Sequence, residues 1–369
     1  MISFVWELDR PLPAGTGGSE NYTVGHVREL IRRGIAAQVV TVGVGTQDGR
    51  DEFPGVPFLS LTDATGVAEL DGTVVFVTQF PVVATRNPSY QLLHIPPPLR
   101  SIERRRAIAQ TRDRGLIATS RFAAELWARF LDVDLPTVQV VYPFAEPVFG
   151  AQPRPDADPR VIRILYAGRL SPEKGIYTLL AMLHSDLIAD DVDLEFTATT
   201  AGDDKPQGRI IRSLLETHPG VRVVPSRKSP AAMAELMAGQ DIVVMPSNSQ
   251  YWHETFGIVS IEAQHAGCRV VASDDGGLPE TDCGAITLVA PDDAEALARG
   301  IRHAIAQGPF TGRADAAGRF TVAQSVDSLL DVLRGPRPLT PAEVEQALEV
   351  LVLLPTAQPR PLQEELPIP

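Results

Sequence analysis

Short apolar runs rich in β-branched residues alternate with longer stretches of helical periodicity along most of this chain. Residues 2–6 read as a strand, and residues 19–33 as a helix with Val24, Val27, Leu30 and Ile31 on one face. Further strands are predicted at 37–42, 73–78, 90–94, 116–119 and 138–141, with helices at 101–112 and 121–131. A second series follows, with strands at 161–167, 193–199, 221–224, 242–245, 269–272 and 286–289. Its helices are predicted at 173–184, 230–238, 258–266 and 292–307. Strands separated by helices in this rhythm pair in parallel through right-handed crossovers. Between the two series, residues 143–159 are rich in Pro, Ala and Asp and carry no period, which reads as a linker. The expected fold class is α/β, with two doubly wound parallel-sheet domains facing across a cleft. The first domain is placed at 1–145, the linker at 146–160 and the second domain at 161–334, its last helix being 321–333. A tail follows at 335–369. Its Thr340-Pro341-Ala342-Glu343 has the pattern of a capping box and opens a helix carrying Val344, Leu348, Leu351 and Leu354. From Pro355 the tail is Pro-rich and reads as extended.

Composition narrows the function classes. The 369 residues carry a formal charge of −13, which argues against a general nucleic-acid binder because phosphate neutralisation needs clustered cations. Two cysteines, Cys268 and Cys283, are few for a secreted two-domain protein, so a reducing compartment is expected. The first residues read as a strand rather than a signal peptide, and no apolar run reaches the ~20 residues that span a bilayer. A soluble cytoplasmic protein is the expectation.

Four loops between a strand and a helix carry candidate chemistry. Gly17-Gly18-Ser19 follows the first strand, where glycines let the backbone approach an anion at a helix N-terminus; the same glycines could simply end the strand. Gly168-Arg169-Leu170-Ser171-Pro172-Glu173-Lys174-Gly175 puts two cations where a helix dipole disfavours them. A diphosphate would account for them, and a solvated loop is the alternative. In His253-Glu254-Thr255-Phe256-Gly257-Ile258, Glu254 stands before a helix, as a ligand group or as a plain N-cap. Glu262 lies inside that apolar helix, where a carboxylate is costly unless hydrogen-bonded; ribose hydroxyls or a structural donor would serve. Asp275-Gly276-Gly277-Leu278-Pro279-Glu280 is the fourth loop, either a tight turn or a wall of the same cleft.

The order of these segments resembles the retaining glycosyltransferases of family 4, of GT-B fold, over roughly 2–333. Gly168-Arg169-x4-Lys174-Gly175 resembles that family's diphosphate-binding segment. Pro246-Ser247 followed by Glu254-x7-Glu262 resembles its paired-glutamate motif, and Asp275-Gly276-Gly277-x-Pro279-Glu280 the segment after it. Gly17-Gly18-Ser19-Glu20 and Ile117-Ala118-Thr119-Ser120-Arg121-Phe122 are similar to its glycine loop and its strand–serine–helix turn. The resemblance implies two Rossmann-like domains, the first for the acceptor and the second for a nucleotide-sugar donor, a UDP- or GDP-sugar. It implies that Arg169 and Lys174 neutralise the donor diphosphate, with Gly17 and Gly18 closing on it from the first domain. Glu254 would contact the transferred sugar, Glu262 the ribose, and the backbone of Phe256, Gly257 and Ile258 the donor. His94 aligns with a histidine placed near the reacting sugar, or is structural. Three departures stand out: Thr199-Thr200-Ala201-Gly202-Asp203-Asp204 replaces a Gly-x-Gly-Pro type turn, Tyr142-Pro143-Phe144-Ala145-Glu146 replaces Asn-Gly-Val-Asp, and residues 248–252 lengthen the loop before Glu254.

The function implied is a retaining hexosyltransferase that needs no metal or cofactor. A silent nucleotide-sugar-binding subunit and a sugar-nucleotide epimerase are the alternatives. The acceptor, whether small molecule, glycan or lipid-linked, is not legible, and a homodimer through the tail helix stays open. Arg100, Arg104, Arg105, Arg106, Arg112 and Arg114 against Glu103 and Asp113 make residues 100–114 locally basic. That stretch reads as a solvated helix face, or as the contact for an acidic acceptor or a membrane surface.

Overall fold

The computed structural model describes residues 1–335, apart from 14–16, 46–51, 157, 159, 186, 189–192 and 251. The proposed tail helix lies outside the described residues.

Two parallel sheets organise the chain. The first contains β1 (Ile2–Val5), β2 (Ala37–Val42), β3 (Phe58–Leu61), β4 (Thr73–Phe76), β5 (Ser89–Leu93), β6 (Gly115–Ala118) and β7 (Val138–Val140), in the order β3-β2-β1-β4-β5-β6-β7. The second contains β8 (Val161–Tyr166), β9 (Asp193–Thr199), β10 (Val221–Val224), β11 (Ile242–Met245), β12 (Arg269–Ser273) and β13 (Ile286–Val289), in the order β10-β9-β8-β11-β12-β13. Inner strands such as β1, β4 and β11 read as nearly unbroken apolar runs, as strands of a sheet covered on both faces do. In both sheets the order reverses beside the first strand, between β1 and β4 and between β8 and β11. A crevice opens at the carboxyl ends of such a pair.

The helices are α1 (Gly18–Arg32), α2 (Ser101–Thr111), α3 (Arg121–Leu131), α4 (Pro147–Ala151), α5 (Ile176–Leu183), α6 (Pro206–Thr217), α7 (Pro230–Ala238), α8 (Ile258–Ala266), α9 (Ala294–Ala306), α10 (Arg313–Ala317) and α11 (Val322–Arg334). The fold is thus the expected pair of doubly wound domains, but it differs from the sequence reading in several places. Edge strand β3 was not predicted; its four residues are only half-buried, which blurs the apolar signal. Helix α6 was also missed, although Pro206 at its first turn and buried Ile211 and Leu215 one turn apart mark it. The helix expected at 173–184 is instead a 3-10 turn, Pro172–Lys174, then Gly175, then α5. Gly175 has φ 66°, a left-handed value that no helix interior accepts.

The segment read as an aperiodic linker contains α4, whose Phe149 is buried in the second domain's core beside Met237 and Ile261. The last helix, assigned to the second domain, packs elsewhere. Val326, Leu329 and Leu330 of α11 join the first domain's core with Phe4, Val27 and Leu30. Arg33 of the first domain forms an ion pair with Asp327, and Ser325 Oγ meets His26 Nε2 at 3.1 Å. The amphipathic stripe of α11 was legible, but the surface it covers is a tertiary matter. The chain therefore crosses twice between the domains, and the crossings touch: Ala145 N donates to Phe320 O at 3.1 Å.

Gly175 also fixes where the loop after β8 sits. A Cβ added there would lie 1.5 Å from Pro246 O. Gly175→Ala is therefore expected to cost more than the about 1–3 kcal/mol of left-handed strain alone. At Gly34, where an added Cβ meets nothing within 4 Å, the same change should cost much less. Thermal denaturation of the two variants checks this; equal losses would remove the close approach as the cause.

Candidate active site

The carboxyl end of β8 delivers the first cations. Tyr166 Oη donates to Arg169 O at 2.7 Å, and Leu170 N donates to Ala201 O at 2.7 Å, so the loop is pinned to its own strand and to the end of β9. Arg169 keeps 55% of its side chain exposed, 3.3 Å from Glu173. Lys174 turns inward. Its Nζ lies 2.7 and 2.6 Å from the two carboxylate oxygens of Glu254, which joins the loop after β8 to the loop before α8. The sequence placed these residues on a diphosphate and a sugar; the structure brings them into one ion pair.

Glu254 is held from beneath by backbone. Gly277 N donates to Glu254 O at 2.7 Å. Added Cβ atoms at Gly276 and Gly277 would come within 2.2 Å of Glu254 O and Thr255 O, so only glycines allow the turn after β12 to lie against this segment. Beside it, His253 Nδ1 lies 2.9 and 3.0 Å from the oxygens of Asp275. Phe256 is buried, and Gly257, at φ 98°, opens α8 without a side-chain cap. A Cβ on Gly18 would stand 3.2 Å from Ile258 Cδ1. The glycine loop of α1 and the start of α8 therefore meet, and two positive helix ends converge. Gly17 lies beneath the carboxylate of Glu20, whose pKa burial raises.

The first domain grips the same loop. Thr255 Oγ1 donates to His94 O at 2.6 Å, and Ser120 Oγ donates to Thr255 O at 2.5 Å while capping α3 through Ala123 N. Glu280 accepts from Arg121 N at 3.0 Å, Phe122 N at 2.8 Å and Tyr142 Oη at 2.7 Å. It thus places a second-domain carboxylate on the N-terminus of a first-domain helix. The segments around Ser120 and Glu280 were both singled out in the sequence, but nothing there indicated that they bind one another.

His94 sits at the end of β5, its ring 5.1 Å from that of Tyr22 in an edge contact. Its Nε2 is buried without a partner among the described residues, as are Tyr22 Oη and Thr119 Oγ1. Burial, assisted by His26, lowers the His94 pKa to about 4, so the ring is neutral. Glu262 is 7% exposed, and burial, assisted by the neighbouring Glu146, raises its pKa to about 8. Glu146 is raised by burial too, against the pull of Arg28. Sequence reasoning passed over Glu146 as a replaced motif position; its proximity to Glu262 depends on the crossing segment lying against α8. Among the described residues, no group of three or more His, Cys, Asp or Glu could hold a metal ion.

Comparison with known proteins accords with this arrangement. The family described as Glycosyl transferases group 1 matches residues 161–307. A D-inositol 3-phosphate glycosyltransferase of Segniliparus rotundus is 28% identical over 276 residues, covering 70% of this chain and 60% of the relative. An alpha-maltose-1-phosphate synthase of Mycobacterium tuberculosis is 28% identical over 194 residues, covering 48% of this chain and 49% of the relative. The chain thus spans about half to three fifths of the length of these curated relatives. Among solved structures, Anabaena Alr3699/HepE in complex with UDP and glucose has a TM-score of 0.71 at 18% identity, covering 90% of this chain and 99% of that one. A glycosyltransferase of Rickettsia africae gives 0.71 at 16%, covering 91% and 99%. At such identities the structural likeness concerns the fold. The second domain thus matches the group 1 glycosyltransferases over residues 161–307, and the paired parallel sheets share the GT-B fold of the solved glycosyltransferases.

Proposed function

We propose that this protein transfers a hexose-type sugar from a nucleoside-diphosphate sugar to an acceptor hydroxyl, with retention of configuration. The observation that carries the reading is the meeting of Lys174 and Glu254 (2.6 Å) beside Arg169 and the converging starts of α1 and α8. Two cations and two helix N-termini suit a diphosphate, and Glu254, fixed by Lys174 and the glycine turn, suits sugar hydroxyls. Glu262, buried and protonated at neutral pH, can donate to or accept from a ribose hydroxyl. The unpartnered Tyr22 Oη, His94 Nε2 and Thr119 Oγ1 suit a hydroxyl-bearing group on the first-domain side.

In the proposed step the bond from the anomeric carbon to the phosphate oxygen breaks as the acceptor oxygen bonds to the same face. The acceptor proton passes to the leaving phosphate. Negative charge grows on the diphosphate, so Arg169 and Lys174 stabilise the transition state more than the ground state. The step uses no metal or cofactor. The names of the relatives support transfer over the two alternatives, and a HepE complex with UDP-glucose makes a UDP-sugar the first donor to try, with GDP-sugars next.

The decisive experiment is a thermal-shift series with UDP, GDP and their sugars, since a ligand of the folded state raises its melting temperature. One diphosphate is expected to stabilise the protein, and Arg169→Ala to abolish that shift; no shift with any of them would sink the proposal. With the donor known, Arg169→Ala and Lys174→Ala should each lower turnover about 10²–10³-fold, measured as nucleoside-diphosphate release. A loss below about tenfold would take that residue out of the transition state.

Glu262 generates a pH prediction. Between its ordinary value of 4.5 and about 8, the folded chain holds a proton that the unfolded chain has released. Stability from this group is therefore greatest below that window and falls as the pH rises through it. Glu262→Gln should remove the fall, melting higher than the wild type near pH 8 and nearly level with it near pH 5, while weakening nucleotide binding. A stability difference that does not vary with pH would refute the buried protonated carboxyl.

A further inference from the structure

The second sheet is covered unequally on its two faces. Ile164 of β8, Phe196 of β9 and Val221 and Val223 of β10 share a core with Leu179, Ile211 and Leu215, so α5 and α6 cover that face out to the edge strand. On the other face Met233, Ala234 and Met237 of α7 share a core with Leu165 of β8 and Val243 of β11. Among the described residues, no side chain of β9 or β10 joins that second cluster. Alternate residues of a strand point to one face, so Arg163, Glu195, Thr197 and Arg222 stand together there. In the register Arg163 is opposite Glu195, and Thr197 opposite Arg222. Strands roofed by a helix carry apolar side chains on such a face. These carry two guanidinium groups, a carboxylate and a hydroxyl.

The result is a groove of about 920 Å³ between α7 and the β9–β10 edge. Sites for small molecules run from about 300 to 1,000 Å³. Among the described residues that line it, none belongs to the candidate active-site loops 168–175, 253–258 and 275–280. Thr197 is buried in its floor and accepts from Arg222 Nη2 at 3.3 Å, while Arg163 Nε lies 3.8 Å from Glu195. Arg227 adds a third guanidinium from the loop after β10, and Glu235 a second carboxylate from α7. Three cations thus face two anions in a chain of net charge −13. Gln240, 4% exposed, also lines the groove, and its Oε1 has no hydrogen-bond partner among the described residues. A solvated sheet edge accounts for the charged side chains. It does not account for a buried amide oxygen left unpaired, which is costly unless a ligand supplies the donor.

We propose that this groove is a second ligand site, which binds a small phosphate ester bearing hydroxyl groups. Arg222 and Arg227 take the phosphate, whose oxygens suit the guanidinium fork. Glu195, Glu235 and Gln240 accept from the hydroxyls, and Thr197 can donate or accept. A bare phosphate would leave those acceptors unused and meet the two carboxylates. A nucleobase would find no ring to stack on, because Phe196, the aromatic residue of the lining, is buried in the core of the opposite face. The site lies outside the cleft, so its ligand is held independently of donor and acceptor.

The test is calorimetric titration of the full chain with glucose 6-phosphate, fructose 6-phosphate and glycerol 3-phosphate, with inorganic phosphate and glucose as controls. At least one ester is expected to bind about tenfold more tightly than either control. Arg222→Glu should weaken that binding about tenfold or more, and Gln240→Leu about fivefold or more. Arg222 is exposed, so its variant should melt with the wild type. Gln240→Leu should not lower the melting temperature, because the amide oxygen it removes is unpaired; a purely structural role would lower it and leave ester affinity intact. Binding of no ester, binding no tighter than that of inorganic phosphate, or binding that both variants leave intact would each overturn the proposal. Loss of ester binding in Arg169→Ala, with Arg222→Glu unaffected, would assign the ester to the candidate active site and overturn it too. Nucleoside-diphosphate binding should be unchanged in Arg222→Glu and Gln240→Leu, so its absence from the wild type would count against the donor assignment and not against the groove.

Discussion

Residues 254–257 are the segment on which the arrangement of this protein turns. Their backbone is claimed from two directions: Gly277 N reaches Glu254 O from the second domain, and Ser120 Oγ reaches Thr255 O from the first. Thr255 returns the contact to His94 O. A four-residue stretch thus aims the carboxylate of Glu254 at Lys174, starts α8 through the left-handed Gly257, and registers one domain against the other. Because these are hydrogen bonds between fixed backbone and short side chains, they tolerate little displacement. A shift of either domain is therefore felt at the candidate site.

Charge is handled differently on the two sides of the cleft. On the second-domain side it is exposed or paired: Arg169 reaches solvent, Lys174 is matched by Glu254, and His253 by Asp275. Along the seam between α1, α8 and the crossing segment, titratable groups are instead buried and driven neutral. Burial lowers His26 and His94 to about 4 and raises Glu262 to about 8. An unpaired charge in that seam would cost more than the fold can spare, whereas neutral groups can exchange hydrogen bonds with hydroxyls. A charged leaving group and a neutral polyhydroxyl ligand would find their preferred surroundings a few residues apart.

The double crossing explains how two domains keep this geometry. Ala145 and Phe320 are hydrogen-bonded where the chain leaves and returns, and Tyr142, Phe256 and Phe320 pack ring against ring beside them. Helix α11 then anchors the returning chain on α1 through Ser325 and His26. The aromatic contacts and the paired crossings thus tie the two domains together at one place.

By itself, the sequence determined the local elements and the candidate chemistry. Strands such as 193–199 and 242–245 and the helix at 121–131 coincide with the structure, because inner parallel strands and amphipathic helices carry their period in the residues. The strand-end loops holding Arg169, Lys174, Glu254 and Asp275 were legible for a related reason: glycines and cations at helix starts violate local preference and so stand out. Elements with weak local signals, the half-buried β3 and the Gly175 break before α5, were misread. Only the tertiary structure decided which surfaces meet. It set α11 on the first domain, Glu280 on α3, Glu146 against Glu262, and Leu99 into solvent. An apolar stripe or a lone carboxylate has the same local signature whatever it faces, and its partner lies up to some three hundred residues away along the chain.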